Sequence, residues 1–134
     1  MSKIANAAEA WGKAQTKLRE AERIDPTAAP GAMVHSAYYA MHHAARAVLL
    51  SVAGAAAVRH DKVIQEFGLL AVKYDDVELK DAGRAINRMM TNRNIWDYEA
   101  ANPTEQQAKD AASVARDFLT VCAAKFSLPA PEAN

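Results

Sequence analysis

Hydrophobic positions along this chain recur at intervals of three and four, the repeat of a helix with one buried face. Ile4, Ala7, Ala8, Trp11, Ala14, Gln15, Leu18 and Ala21 predict a first helix from about Ser2 to Ile24, which Asp25-Pro26 stops. Pro26, Pro30 and Gly31 make a short connection, and a second helix runs to about Val52, where Gly54 and a patch of alanines end it. Val63, Ile64, Phe67, Leu70 and Ala71 share one face of a third helix reaching about Lys73, and His60 projects from the start of that face. Asp75 or Asp76 is placed to cap a fourth helix that extends to Trp96 or Tyr98, with Ala82, Ala85, Ile86, Met89, Met90 and Trp96 on its apolar side. The last helix opens at Asn102-Pro103-Thr104-Glu105 with Pro103 expected in its first turn. Ala108, Ala111, Ala112, Ala115, Phe118, Leu119, Cys122 and Phe126 form its stripe. Short connections between long helices imply antiparallel neighbours. The expected fold is therefore all-α, a compact antiparallel bundle of about five helices in one domain over residues 1–128, with 129–134 a disordered tail.

The second helix differs from the others. Val34, Ala37, Tyr38, Met41, Ala45, Val48, Leu49 and Val52 fall on one side, while Tyr39, His43, Arg46 and Leu50 line the opposite side beside small Ser36, Ala40, Ala44, Ala47 and Ser51. A surface helix needs only one apolar face. A helix with two usable faces belongs at the centre of the bundle or against a partner.

Composition narrows the picture further. A chain of 134 residues, 51% hydrophobic but only 7% aromatic, is long enough to bury a core without disulfides, and its abundant alanine favours close-packed helices. Sixteen basic residues balance sixteen acidic ones, so an anionic ligand must be recruited by a local patch. Cys122 is the single cysteine, which excludes an internal disulfide and fits a reducing compartment. With no signal-peptide core at the start and no apolar run of bilayer length, a cytoplasmic protein with no membrane contact is expected.

Two features could carry chemistry. Arg93 lies in the middle of the fourth helix's apolar side with Asp97 one turn later, and a charge there needs a partner or a ligand. His35, His42, His43 and His60 make up all the histidines, and no acidic residue occurs between Gly31 and His60. Their directions around the helix do not suit a shared metal, and no carboxylate accompanies them in a zinc-binding arrangement, so neither a metal nor another cofactor is expected. His43, Arg46, His60, Arg93, Asp97 and Tyr98 together would make a polar site between the second, third and fourth helices or across a dimer seam. Its arginines and histidines outnumber its one aspartate, an excess of donors that suits phosphate. The plain alternative is an Arg93–Asp97 bridge that only holds the core. Arg84, Arg88 and Asn92 lie on another side of the fourth helix, in a stretch without acids from Ala82 to Trp96, a composition able to hold RNA backbone and stack a base, or equally a solvated face. Tyr38 and Tyr39 read as packing residues facing opposite sides.

The run Ala37-Tyr38-Tyr39-Ala40-Met41 with His43-Ala44-Ala45-Arg46-Ala47, continued by Arg59-His60, Phe67, Arg93 and Asp97-Tyr98, resembles the signature helix and flanking helices of the HEPN domain family. The resemblance implies a helical bundle that forms a homodimer, acts as the toxin of a toxin–antitoxin pair or beside a nucleotidyltransferase-type partner, and handles RNA or a nucleotide. Active members are metal-independent endoribonucleases whose motif is an Arg, often with a polar residue after it, and a His four to six residues on. Arg93-Asn94 matches the start of that motif, whereas Tyr98 stands where the shortest form would place the histidine and no histidine follows His60. The chain is more similar to the branch in which an Asp-Tyr pair replaces that histidine, and it has His42 where the family usually has Phe. On this reading Arg93, His60 and His43 are the candidate catalytic groups, with Arg46, Asn94, Asp97, Tyr98 and Arg88 as candidate substrate contacts. Tyr98 is also a candidate acceptor for modification by the partner. The competing expectation is a non-catalytic protein-interaction module in which the Arg93–Asp97 pair is structural.

Overall fold

The computed structural model describes residues 3–98 and 102–133, with side chains described for 6–96 and 102–133. Among the described residues there are five helices and no strands: α1 (Lys3–Arg23), α2 (Pro30–Ala53), α3 (His60–Tyr74), α4 (Val77–Tyr98) and α5 (Glu105–Phe126). Each expected helix is present, with ends shifted by a residue or two.

Each boundary has a local cause. Pro30, which has no N–H to leave unpaired, takes the first position of α2. At the other end Gly54 adopts φ 78°, a left-handed conformation open to glycine without strain, and its N–H reaches the Leu50 carbonyl at 3.0 Å. Asp75 ends α3 in the same region at φ 50°, and Asp76 then accepts from the Leu79 N–H at 3.0 Å to start α4, so the two aspartates divide the work between neighbouring helix ends. The start of α5 corrects the expectation for proline. Thr104 is the cap, its hydroxyl accepting from the Gln107 N–H while the Gln107 side chain accepts from the Thr104 N–H, which leaves Pro103 outside the helix and buried.

Among the described residues α2 alone packs against all four other helices. Its second face made this possible. Ala40, Ala44 and Ala47 are fully buried, as are Ala14 and Ala21 of α1, and Ala7 and Ala10 of α1 are nearly so. Side chains this small let two helices approach closely, so the α1–α2 contact gains dispersion energy over its length instead of from a few large residues. The larger groups collect on the other side: Tyr38, Met41 and Val48 of α2, Phe67 of α3, Ile86 of α4, and Phe118, Leu119 and Cys122 of α5. The rings of Phe67 and Phe118 stand 5.2 Å apart and join α3 to α5.

The tail expected to be disordered has no regular structure, but two bonds hold it to the bundle. The Trp11 indole N–H donates to the Pro129 carbonyl at 2.8 Å, and Arg116, paired with Glu22 through two nitrogens at 2.5 and 2.7 Å, donates to the Glu132 carbonyl at 2.8 Å. Composition alone misses this because one donor lies 118 positions away in α1 and the other requires the tail to fold back along α5. No helix among the described residues is long and apolar enough to cross a membrane.

Candidate functional site

The site is built on two ring pairs in α2, each spaced one helical turn apart. Residues four apart lie one above the other on a helix, so Tyr38 sits over His42 and Tyr39 over His43. The ring centroids of Tyr38 and His42 are 6.3 Å apart and those of Tyr39 and His43 are 6.2 Å apart. His60, the first residue of α3, meets both pairs: its ring lies 5.3 Å from Tyr38, 5.3 Å from Tyr39 and 4.2 Å from His42. Arg93 comes from α4 and lays its guanidinium 5.0 Å from the Tyr38 ring and 5.5 Å from Tyr39. That is a cation over the electron-rich faces of two phenols.

One arginine nitrogen lies 3.4 Å from Nδ1 of His60, and the Tyr38 hydroxyl lies 2.9 Å from the same atom. A guanidinium only donates, so the contact assigns Nδ1 of His60 as the acceptor and leaves the ring proton on Nε2. The Tyr38 hydroxyl, at the shorter distance, donates to the single Nδ1 lone pair, and the longer Arg93 contact shares it. His60 is thereby set as a neutral imidazole with an N–H to offer.

Burial disfavours the charged form of Tyr38, His42, His43 and His60 alike. Burial, followed by the neighbouring His60, His43, Arg46 and Arg93, pushes His42 down to about 3. His43 is lowered by burial and then by Lys13, Arg46 and Lys17, and His60 by burial and Arg93, against a smaller upward pull from Asp61. Burial also raises Tyr38 to about 12 despite Arg93. At neutral pH the three histidines of the cluster are therefore uncharged, with Arg46, Arg93, Lys13 and Lys17 among the charged groups that act on them and Asp61 beside His60. Nδ1 of His42, on a side chain only 4% exposed, and Nδ1 of His43 have no hydrogen-bond partner among the described atoms.

The structure brings His43, His60 and Arg93 together and adds His42 and the two tyrosines, Tyr38 and Tyr39, that had read as packing. The signal was present, since Tyr-Tyr and His-His are spaced one helical turn apart. Arg46 acts on the backbone instead. Its Nε donates to the Ala57 carbonyl at 2.9 Å, while the Ala57 N–H donates to Glu66 at 3.1 Å, and these bonds fix the connection that delivers His60. Arg88 lies elsewhere, in a groove between α4 and α5 with Glu78, Asp81 and Asp117. Arg84 bonds to Asp81, so the basic strip expected along α4 with Arg93 does not form. Five residues of helix, from Arg88 to Arg93, turn the chain well away from the Arg84 side. Asn94 is exposed. Asp97 and Tyr98 lie in α4, but their side chains fall outside the described residues. No group of three His, Cys, Asp or Glu side chains among the described residues is placed to share a metal ion.

The family model of the HEPN domain matches residues 7–125, nearly the whole chain and all five helices. The chain belongs to the HEPN family. Neither the curated proteins nor the solved structures yield a significant match. HEPN membership makes this a nucleotide- or RNA-related module, and it agrees with the central helix, whose Tyr38, Tyr39, His42 and His43 supply much of the cluster.

Proposed function

We propose that this HEPN protein binds the phosphate of RNA or of a nucleotide through Arg93, with His60 as a second donor, and works as a homodimer in a toxin–antitoxin or defence-like pair with a nucleotidyltransferase. One observation carries the binding reading. Arg93 of α4 lies over the Tyr38 and Tyr39 rings of α2 and meets His60 of α3 at 3.4 Å, beside His42 at 4.2 Å from His60, with Arg46, Lys13 and Lys17 among the cations that act on these rings and Asp61 the acid beside His60. Such a surround recruits an anion locally although the chain as a whole is neutral. The planar fork of Arg93 suits phosphate oxygens, and the Nε2–H of His60 adds a neutral donor beside it. Dimerisation and the partner enzyme rest on family membership alone.

Metal-independent cleavage of RNA is the further step within this reading. It requires a group that takes the proton of the ribose 2′-hydroxyl. His60 has no lone pair at Nε2 in the tautomer that Arg93 imposes, which leaves neutral His43 as the base and Arg93 to stabilise charge on the phosphate. The test is to incubate labelled structured and single-stranded RNA in EDTA with the wild type, Arg93→Ala, His60→Ala and His43→Ala. Binding should fall about tenfold or more in Arg93→Ala while the helical circular dichroism is unchanged, consistent with the loss of a charge-assisted bond. Undiminished binding by Arg93→Ala overturns the reading, and cleavage that survives in His43→Ala overturns the proposed base. The interaction-module reading is favoured by the exposed Leu69, Val72, Tyr74 and Val77 at the α3–α4 corner. It predicts a partner-binding defect on substitution there and no RNA phenotype from Arg93.

A further inference from the structure

Arg93 has a second neighbourhood. One of its nitrogens faces His60 and the plane of its guanidinium covers Tyr38 and Tyr39, yet the same side chain also lines a small cavity with Val34, His35, Trp96, Asn102 and Pro103. The grooves along α3–α4 and α4–α5 do not touch the cluster. This cavity does, through Arg93 itself.

The walls are chemically consistent. The indole of Trp96 is a flat platform, Val34 and Pro103 supply apolar contact, and the Asn102 amide has both a donor and an acceptor. The His35 ring stands 4.7 Å from Tyr39 and so continues the aromatic surface that Arg93 covers. At about 80 Å³ the cavity is small, two or three waters' worth at about 30 Å³ each, so it takes at most one heterocyclic base entering by its edge and has no room for a base pair. Arg93 and Trp96 are three apart on α4 and hence about one turn from each other. That separation is comparable to the span between a nucleotide's phosphate and its base.

We infer that this cavity takes one unpaired nucleobase, stacked on Trp96, from the same nucleotide whose phosphate Arg93 holds. The inference rests on the Arg93 reading above and adds what the ligand must carry next to its phosphate: a base without a Watson–Crick partner. A free 5′-nucleotide and single-stranded RNA both offer that chemistry. Double-stranded RNA does not.

The full chain should be titrated, by isothermal calorimetry for affinity in every variant and by tryptophan fluorescence for contact in the wild type, with adenosine 5′-monophosphate, a single-stranded adenylate hexamer, the hexamer annealed to its complement, and inorganic phosphate. Trp11 is only 2% exposed within the core, so quenching of tryptophan fluorescence on ligand addition reports Trp96. The monophosphate, the single strand or both should quench, and Trp96→Ala should weaken that binding about tenfold, the usual range for loss of one stacked base. Trp96→Phe should restore most of it, and affinity for inorganic phosphate should be the same in Trp96→Ala and wild type. His35→Ala, at an exposed position, should weaken the same ligands severalfold with no effect on the fold. Quenching by the hexamer alone assigns the cavity to RNA, and quenching by the monophosphate alone assigns it to a free nucleotide. Equal affinity of wild type and Trp96→Ala for base-bearing ligands, with Arg93→Ala still defective, overturns the base cavity and leaves the phosphate reading standing. Tighter binding of the duplex than of the single strand also overturns the cavity. Absence of any binding, or indifference to Arg93→Ala, overturns both.

Discussion

His42 offers the sharpest test of the electrostatics. Its imidazole is 4% exposed, its Nδ1 lacks a partner among the described atoms, and its pKa is pushed down to about 3 by burial and by the cations and histidines around it. In the unfolded chain the same group takes its proton near 6.5. Between these values the unfolded state binds a proton that the bundle excludes, so the stability present above pH 6.5 is lost progressively on acidification. Each pH unit across that window costs about 1.4 kcal/mol, and moving from pH 7.0 to pH 4.5 removes about 2.5 kcal/mol through this one site. Carboxylates add their own pH dependence, which cancels when the wild type is compared with His42→Phe. At pH 7 the substitution should be neutral or stabilising by about 1 kcal/mol, because a phenyl ring fills the same space and leaves no buried polar atom unsatisfied. Urea unfolding at pH 7.0, 5.5 and 4.5 would measure the gap between the two proteins, which should widen in favour of His42→Phe by about 2 to 3 kcal/mol over that range. A gap that stays constant within about 0.5 kcal/mol would refute the claim that His42 is held neutral by the fold.

Two further outcomes follow from where the arginines lie. Arg88→Ala should leave RNA or nucleotide affinity within about twofold of wild type in the same binding assay, since this side chain sits among Glu78, Asp81 and Asp117 rather than beside Arg93. Arg116→Ala leaves Glu22, whose side chain is 8% exposed, without its bidentate partner and frees the Glu132 carbonyl. Thermal or urea unfolding should show a loss of about 2 kcal/mol, below the value for a fully buried pair because Arg116 is itself 26% exposed, and carboxypeptidase should trim the tail faster than in wild type.

The residues of the site were legible to different degrees. Arg93 stood out because a charge on an apolar helix face is costly without a partner, and that reasoning requires no structure. His60 was visible as a polar group at the head of an apolar face. Tyr38 and Tyr39 were not, since a tyrosine on a buried face is ordinarily packing. Only the arrival of Arg93 over both rings, and of His60 on the Tyr38 hydroxyl, gives them another role. Arg88 was drawn into the site by its position on the same helix as Arg93, although the helical rotation between them points the two side chains into different grooves.

What the sequence by itself determined is the set of helices and the centrality of α2. Both follow from local periodicity: apolar residues three and four apart can share a face only on a helix, and a helix apolar on one side and small on the other can be covered only from both sides. The family was legible for the same reason, because its signature lies in consecutive residues of that helix. The tertiary structure alone decided which residues at a distance meet. His60 and Arg93 are thirty-three positions apart, and Trp96 and His35 come from different helices with all of α3 between them in the chain. Their encounter depends on the direction in which α3 and α4 pack across α2, which is set by the summed fit of side chains from several helices and not by any one segment. The tautomer of His60, the neutrality of His42 and the cavity beside Arg93 all arise from that packing.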